Sequence, residues 1–137
     1  MNKVQLAAIT KDPETLDALS QDKDSYVRRR VARNPNTNPE TLDVLSRDEN
    51  FYVRWRVALN PNTKPETLDV LSQDEDPDVR YNVARNRNTS PETLDDLSHD
   101  EDSDVRWRVS LNPNCPERVY KYIMGLELLE SLSEVST

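Results

Sequence analysis

The segment Pro-Glu-Thr-Leu occurs four times, at Pro13–Leu16, Pro39–Leu42, Pro65–Leu68 and Pro91–Leu94, at a constant interval of 26 residues. A period of this size marks a stacked repeat architecture, in which each unit is too small to bury its own apolar face and buries it against its neighbours. It predicts a thin, layered core and argues against a conventional pocket enzyme. The charged fraction of 32% beside a hydrophobic fraction of 34% and a mean hydropathy of −0.89 would mean disorder in an unpatterned chain. Here the apolar residues recur at fixed places, so one layered domain is expected.

Pro65–Ser90 shows how one unit reads. Pro65 suits the first position of a helix, where a missing N–H costs nothing. The preceding residue is Asp12, Asn38, Lys64 or Ser90 in the four copies, and three of these offer a capping side chain. Glu66 places negative charge where the helix dipole favours it, and Leu68, Leu71 and Ser72 form a narrow stripe. The spacing predicts a short helix from Pro65 to about Gln73. Asp74-Glu75-Asp76 ends it, and Asp76-Pro77 repeats the start signal. A second helix then carries Val79 and Val83, four apart and on one side. Asn34, Asn60, Asn86 and Asn112 stand where the chain leaves this helix. With a single glycine in the chain, Gly125, asparagine is expected there for a left-handed exit. Asn-Pro-Asn turns follow at Asn34, Asn60 and Asn112, with Arg87 replacing proline in the third copy.

The pattern Val-Arg-x-x-Val-Ala-x-Asn-Pro-Asn-Thr-x-Pro-Glu-x-Leu-x-x-Leu-Ser-x-Asp resembles the leucine-rich repeat variant family, over about Leu6 to Val119. The resemblance implies an all-α, right-handed solenoid of four full repeats without strands. Each repeat pairs an α-helix with a shorter helix that is often of 3₁₀ type, which leaves α or 3₁₀ open for the Val-Arg segment. Some members of that family carry an N-terminal cysteine cluster with an iron–sulfur centre. This chain has one cysteine, Cys115, so no cofactor is carried over. A solenoid needs atypical ends to cover its last apolar faces. Residues 1–12 read as a degenerate second helix (Val4, Leu6, Ala7, Ile9), 13–115 as the repeats, and 116–137 as a capping helix and tail. That helix is expected over Arg118–Leu132, with a kink near Gly125 and a frayed end over Ser133–Thr137. Self-association through Leu126 and Leu129 is the alternative use of this helix.

In a repeat protein the informative unit is the column, one residue from each copy. Two after the first valine stand Arg29, Trp55, Tyr81 and Trp107. On a helix this position points away from the two valines, which predicts an aromatic row on the surface. Trp, Tyr and Arg dominate binding hot spots, so one reading is a contact face; packing between repeats is the other. Arg28, Arg54, Arg80 and Arg106 form an unbroken column, read as a scaffold that bridges to the acidic turns. The more variable Arg30, Arg56, Asn82 and Arg108 are better contact candidates, and their arginines join the aromatic column as candidate binding residues. An Arg–aromatic strip also fits single-stranded nucleic acid.

The acidic turns, such as Asp100-Glu101-Asp102-Ser103-Asp104, have a calcium-loop rhythm but lack the glycine and distal glutamate of an EF-hand. Capping and a solvated acidic edge explain them, and no metal site is expected. His99 reads as a surface residue and Cys115 as a small packed one. No nucleophile–base pair or phosphate cradle can be assembled, so no catalytic residue is assigned and an enzyme is not expected. A net charge of −8 weighs against unaided binding to nucleic acid or anionic membrane. Neither a signal peptide nor a membrane span is legible. The expectation is a cytoplasmic, monomeric, non-catalytic scaffold for a protein partner, with single-stranded nucleic-acid binding or self-association as alternatives.

Overall fold

A computed structural model describes residues 1–135. Among them lie ten helices and no strand: α1 (Lys3–Ile9), α2 (Pro13–Leu19), α3 (Ser25–Arg33), α4 (Pro39–Leu45), α5 (Phe51–Leu59), α6 (Pro65–Leu71), α7 (Pro77–Arg85), α8 (Pro91–Leu97), α9 (Ser103–Ser110) and α10 (Glu117–Val135). The odd-numbered helices pack in one row, α1 on α3, α3 on α5, α5 on α7 and α7 on α9, and α10 closes on α9. Each even-numbered helix packs on the odd helices that flank it in sequence. The result is an all-α repeat solenoid.

Each layer of the core takes the same residues from each unit. Leu16, Leu42, Leu68 and Leu94 are buried from the even row, and Val27/Val31, Val53/Val57, Val79/Val83 and Val105/Val109 from the odd row. Full burial of such a side chain stabilises by roughly 1.5–3 kcal/mol, and no single unit has enough of them to fold alone. The even helices start at proline in every copy, but only Asp12 and Ser90 cap them with side chains; Asn38 and Lys64 make no such bond. Asp24, Asn50, Asp76 and Asp102 each cap an odd helix by accepting from the backbone two residues on.

One open reading is decided and two expectations change. The odd helices are α-helical, eight or nine residues long from α3 to α9, so of the two forms left open by the resemblance the Val-Arg segment takes the α form. No described residue has positive φ. Asn34, Asn60 and Asn86 sit at φ near −70° with extended ψ, because the side chain itself makes the turn: Oδ1 of each accepts the N–H of Asn36, Asn62 or Asn88. An Asx turn of this kind removes the need for a left-handed residue. Finally, α10 runs unbroken through Gly125 to Val135, so Ser133–Val135 belong to the helix, while the rest of the expected tail lies outside the described residues.

The same asparagines tie the units together. Asn60 Nδ2 donates to the carbonyls of Ala32 and Asn34, Asn86 to those of Ala58 and Asn60, and Asn112 to those of Ala84 and Asn86, at 2.7–3.1 Å. Asn34 does the same toward Ala7 and Thr10 of the first segment. Thr37, Thr63 and Thr89 donate to the carbonyls of Val31, Val57 and Val83, closing the ends of the odd helices. Buried polar side chains thus satisfy helix ends that would otherwise lose water without replacement.

Candidate binding face

The unbroken arginine column is structural. Arg28, Arg54 and Arg80 reach one unit forward to Asp48, Asp74 and Asp100, with Nε–carboxylate distances of 2.7–2.8 Å. Their Nη1 atoms also donate to the backbone carbonyls of Asp22, Asp48 and Asp74. The hydrogen bond to the aspartate, opposed by burial, raises the pKa of each arginine. At the ends the ladder is completed by other residues. Lys3 pairs with Asp22, and Arg106 pairs with Glu130 of α10. Arg106 Nε has no partner: the last interval is one residue shorter (Pro91 to Pro116), so the position corresponding to Asp48, Asp74 and Asp100 is Gly125.

The acidic turns are therefore occupied by capping and by arginine. Among the described residues no group of three or more His, Cys, Asp or Glu is arranged to hold a metal ion. His99 is exposed, with Nδ1 3.2 Å from the Tyr122 hydroxyl. Cys115 is half-buried, and burial pushes its thiol pKa up, away from a reactive thiolate.

The aromatic column stands on the odd row but is not a row of free rings. Trp55 and Tyr81 are half-buried and pack against the core, whereas Trp107 is 45% exposed. Arg29 lies with its guanidinium 5.2 Å from the Tyr26 ring centre and 4.4 Å from that of Tyr52. Arg56 lies 4.7 Å from the Trp55 ring centre. Arg30 is exposed and Arg108 half-buried, and neither has an ion pair. Asn82, the polar member of that column, is buried and donates to the Trp55 carbonyl.

Two clefts divide this face. One, of about 170 Å³, is lined by Tyr26, Arg29, Arg30, Arg33 and Arg56. Tyr26, Arg29, Arg30 and Arg33 fall at three- and four-residue spacings on α3, so they share a side, and Arg56 joins them from α5. No carboxylate pairs with any of the four arginines. Burial, followed by repulsion from Arg33, Arg29 and Arg30, lowers the pKa of Arg56. The other cleft, of about 310 Å³, is lined by Pro77, Asp78, Tyr81, Asp102, Asp104 and Trp107. One face thus carries an uncompensated basic end and an acidic, aromatic end.

The candidate set Arg29, Arg30, Arg56 meets in the first cleft and Tyr81, Trp107 in the second, while Trp55 lies between. Arg108 lines neither. Sequence reasoning gave no binding role to Tyr26, Arg33, Asp78, Asp102 or Asp104, reading the aspartates as capping and a solvated acidic edge. The signal was one column away: the residue before the first valine reads Tyr26, Tyr52, Asp78, Asp104, switching from aromatic to acidic halfway along.

Short helix pairs in tandem, with the same polar bonds repeated between successive units, define a helical-repeat solenoid. A family model described as "Leucine Rich Repeat Variant domain" matches residues 28–87, and one described as "Leucine rich repeat variant" matches residues 77–102. The chain belongs to the leucine-rich repeat variant family. It is similar to a solved structure described as a leucine-rich repeat variant with a novel repetitive structural motif, with 27% identity, a TM-score of 0.66, and coverage of 89% of this chain and 53% of that one. The chain spans about half the length of that protein. No curated protein matches.

Proposed function

We propose that this protein is a non-catalytic scaffold that binds another protein through the odd-helix face. Residues 1–12 and 116–137 serve as caps and 13–115 as the binding array. The observation that carries the reading is the cluster of Arg29, Arg30, Arg33 and Arg56 without a carboxylate among them, beside Tyr26 and close to Tyr52 and Trp55. Elsewhere the chain pairs its buried arginines with care, so four left together on one face mark a surface that meets negative charge from outside. An acidic segment of a partner fits it, with its less acidic remainder running toward Tyr81 and Trp107. Arginine and aromatic residues are the side chains that carry most interface energy.

No described helix is long and apolar enough to cross a membrane. A cytoplasmic monomer is the simplest setting for such a scaffold. The test is capture from native extract, treated with nuclease, comparing wild type with Arg30→Glu/Arg56→Glu and with Trp55→Ala/Trp107→Ala. A protein held by wild type and lost from both variants is the expected result. A partner held equally by all three sinks the reading.

Single-stranded nucleic acid on the same strip is favoured by the Arg–aromatic stacks and opposed by Asp78, Asp102 and Asp104 further along. Its mark is an affinity that falls steeply with salt, in proportion to the phosphates contacted. Self-association through Leu126 and Leu129 of α10, the first half-buried and the second exposed beside Leu128 and Leu132, is tested by a solution mass above 15.9 kDa.

A further inference from the structure

The basic cleft holds more positive charge than one carboxylate can answer. Four guanidiniums line about 170 Å³, three from one side of α3 and Arg56 from α5. Arg29 is held between the rings of Tyr26 and Tyr52, and Arg56 against Trp55. These contacts hold two guanidiniums over the rings and leave their N–H groups free, since no described group accepts from them. Arg30 and Arg33 add two more unpaired forks at the rim. A planar carboxylate accepts from one or two such forks. A tetrahedral group with three outer oxygens accepts from several at once, and carries close to two negative charges at neutral pH.

We infer that the Tyr26, Arg29, Arg30, Arg33 and Arg56 cleft is a site for a phosphate monoester dianion, supplied by a phosphorylated side chain of the partner. The inference rests on the protein-binding reading above and names the group that the face recognises. Half-buried Arg56 is its centre: repulsion from three neighbouring arginines raises the energy of the unliganded cleft, and a dianion relieves more of it than a monoanion. The acidic cleft further along repels the same group, so the phosphoryl is directed to one end of the face. A nucleic-acid phosphodiester carries a single charge per phosphate and repeats along its chain, which would set later phosphates against Asp78 and Asp104.

The test is calorimetric titration of the whole chain, in a phosphate-free buffer, with four probes. These are a short acidic peptide with a central phosphoserine, the same peptide with glutamate there, inorganic phosphate, and an oligouridylate. The phosphopeptide is expected to bind one to one and at least about tenfold more tightly than the glutamate peptide. Its affinity should rise between pH 5 and 7 as the monoester takes its second charge near pH 6, and the glutamate peptide should lack that rise. Arg56→Gln and exposed Arg30→Gln should each weaken the phosphopeptide about tenfold, while Arg47→Gln, after α4 and lining neither cleft, leaves it unchanged. Arg30→Gln guards against a folding defect at the half-buried site.

Equal binding of the phosphoserine and glutamate peptides overturns the inference and leaves the acidic-segment scaffold standing. Inorganic phosphate bound as tightly as the phosphopeptide also overturns it, in favour of a free-anion site. An oligouridylate bound more tightly than either peptide overturns it in favour of nucleic acid. If no peptide binds, the inference falls and the scaffold reading loses the face that carries it.

Discussion

The two ends of the odd-helix face share one scaffold and differ in almost everything that faces outward. At the α3–α5 end stand Tyr26, Arg29, Arg30, Arg33 and Arg56; at the α7–α9 end stand Asp78, Tyr81, Asp102, Asp104 and Trp107. Beneath them the same asparagine, valine and leucine occur at the same places, and the threonine column Thr37, Thr63 and Thr89 changes only at Cys115. The repeat therefore separates two tasks. The asparagines and arginines that bond to the neighbouring unit in every layer are held constant, because changing one disturbs the stacking geometry of the next. Asn82, which bonds to the Trp55 carbonyl from a variable column, is an exception. Residues that point out of the stack are free to vary, and the column before the first valine uses that freedom to reverse the sign of the face.

If that separation is correct, damage to the interior should cost the same at either end. Asn60→Ala removes the donor for the Ala32 and Asn34 carbonyls and the acceptor for the Asn62 N–H; Asn86→Ala does the same one unit later. Each loss leaves buried backbone groups unpaired and should cost about 3 kcal/mol or more. Urea unfolding should place the two variants within about 0.5 kcal/mol of each other. A difference of several-fold would mean that the ends are not equivalent beneath the surface.

The arginine ladder gives the next largest effect. Arg80→Met leaves Asp100, whose side chain is 7% exposed, with the Asp102 N–H as its remaining donor, and the lost charge-assisted bonds should cost about 2 kcal/mol. Arg54→Met should match it. Arg106→Met should cost less, about 1 kcal/mol, because Glu130 is 53% exposed and Arg106 Nε is already unpartnered. Thermal unfolding of the three variants checks this order, and Arg106→Met proving the costliest would contradict it.

The stack was legible in the sequence because its period is carried by residues whose burial is dictated by chemistry. Leucines and valines at fixed offsets, with proline starting each even helix, allow few alternatives to paired helices. The scaffold role of Arg28, Arg54, Arg80 and Arg106 was legible for the same reason, since an arginine repeated without exception beside acidic turns reads as part of the frame. The exit conformation was not legible. Asparagine serves equally as a left-handed residue and as an Asx-turn acceptor, and the choice depends on the Ala and Asn carbonyls that its Nδ2 meets in the unit before. The exposure of the aromatic column was half legible. Helical geometry turns it away from the valines, but Trp55 and Tyr81 still pack against the core, with Arg56 over Trp55, while Trp107 stays open.

Charge substitutions on the face should have opposite signs at its two ends. Arg56→Gln removes a guanidinium that Arg29, Arg30 and Arg33 repel and should raise the melting temperature by a degree or two, equivalent to roughly 0.5 kcal/mol. Asp104→Asn removes a favourable charge from the first turn of α9 and should lower it by a similar small amount. Both effects should shrink in about 1 M salt, where the Debye length is about 3 Å. Shifts of the same sign would show that the basic cluster is not frustrated.

The two tryptophans, which occupy equivalent positions, report the local potential without altering it. Trp55 lies beside the basic cleft and Trp107 lines the acidic one. Excited at the red edge, where tyrosine does not absorb, only Trp55 emits in Trp107→Phe and only Trp107 in Trp55→Phe. Iodide and caesium quench by collision, so each rate scales with the local concentration of that ion, which the field of nearby charges raises or lowers. Trp107 is the more exposed ring, and comparing absolute quenching would mix exposure with charge. The ratio of iodide to caesium quenching at each ring removes that difference. It should be higher at Trp55 than at Trp107 at low ionic strength, and the two should converge as salt is added. A ratio already equal at low salt would mean that the protein's net negative charge governs the whole face, and the division into basic and acidic ends would have no consequence for what approaches it.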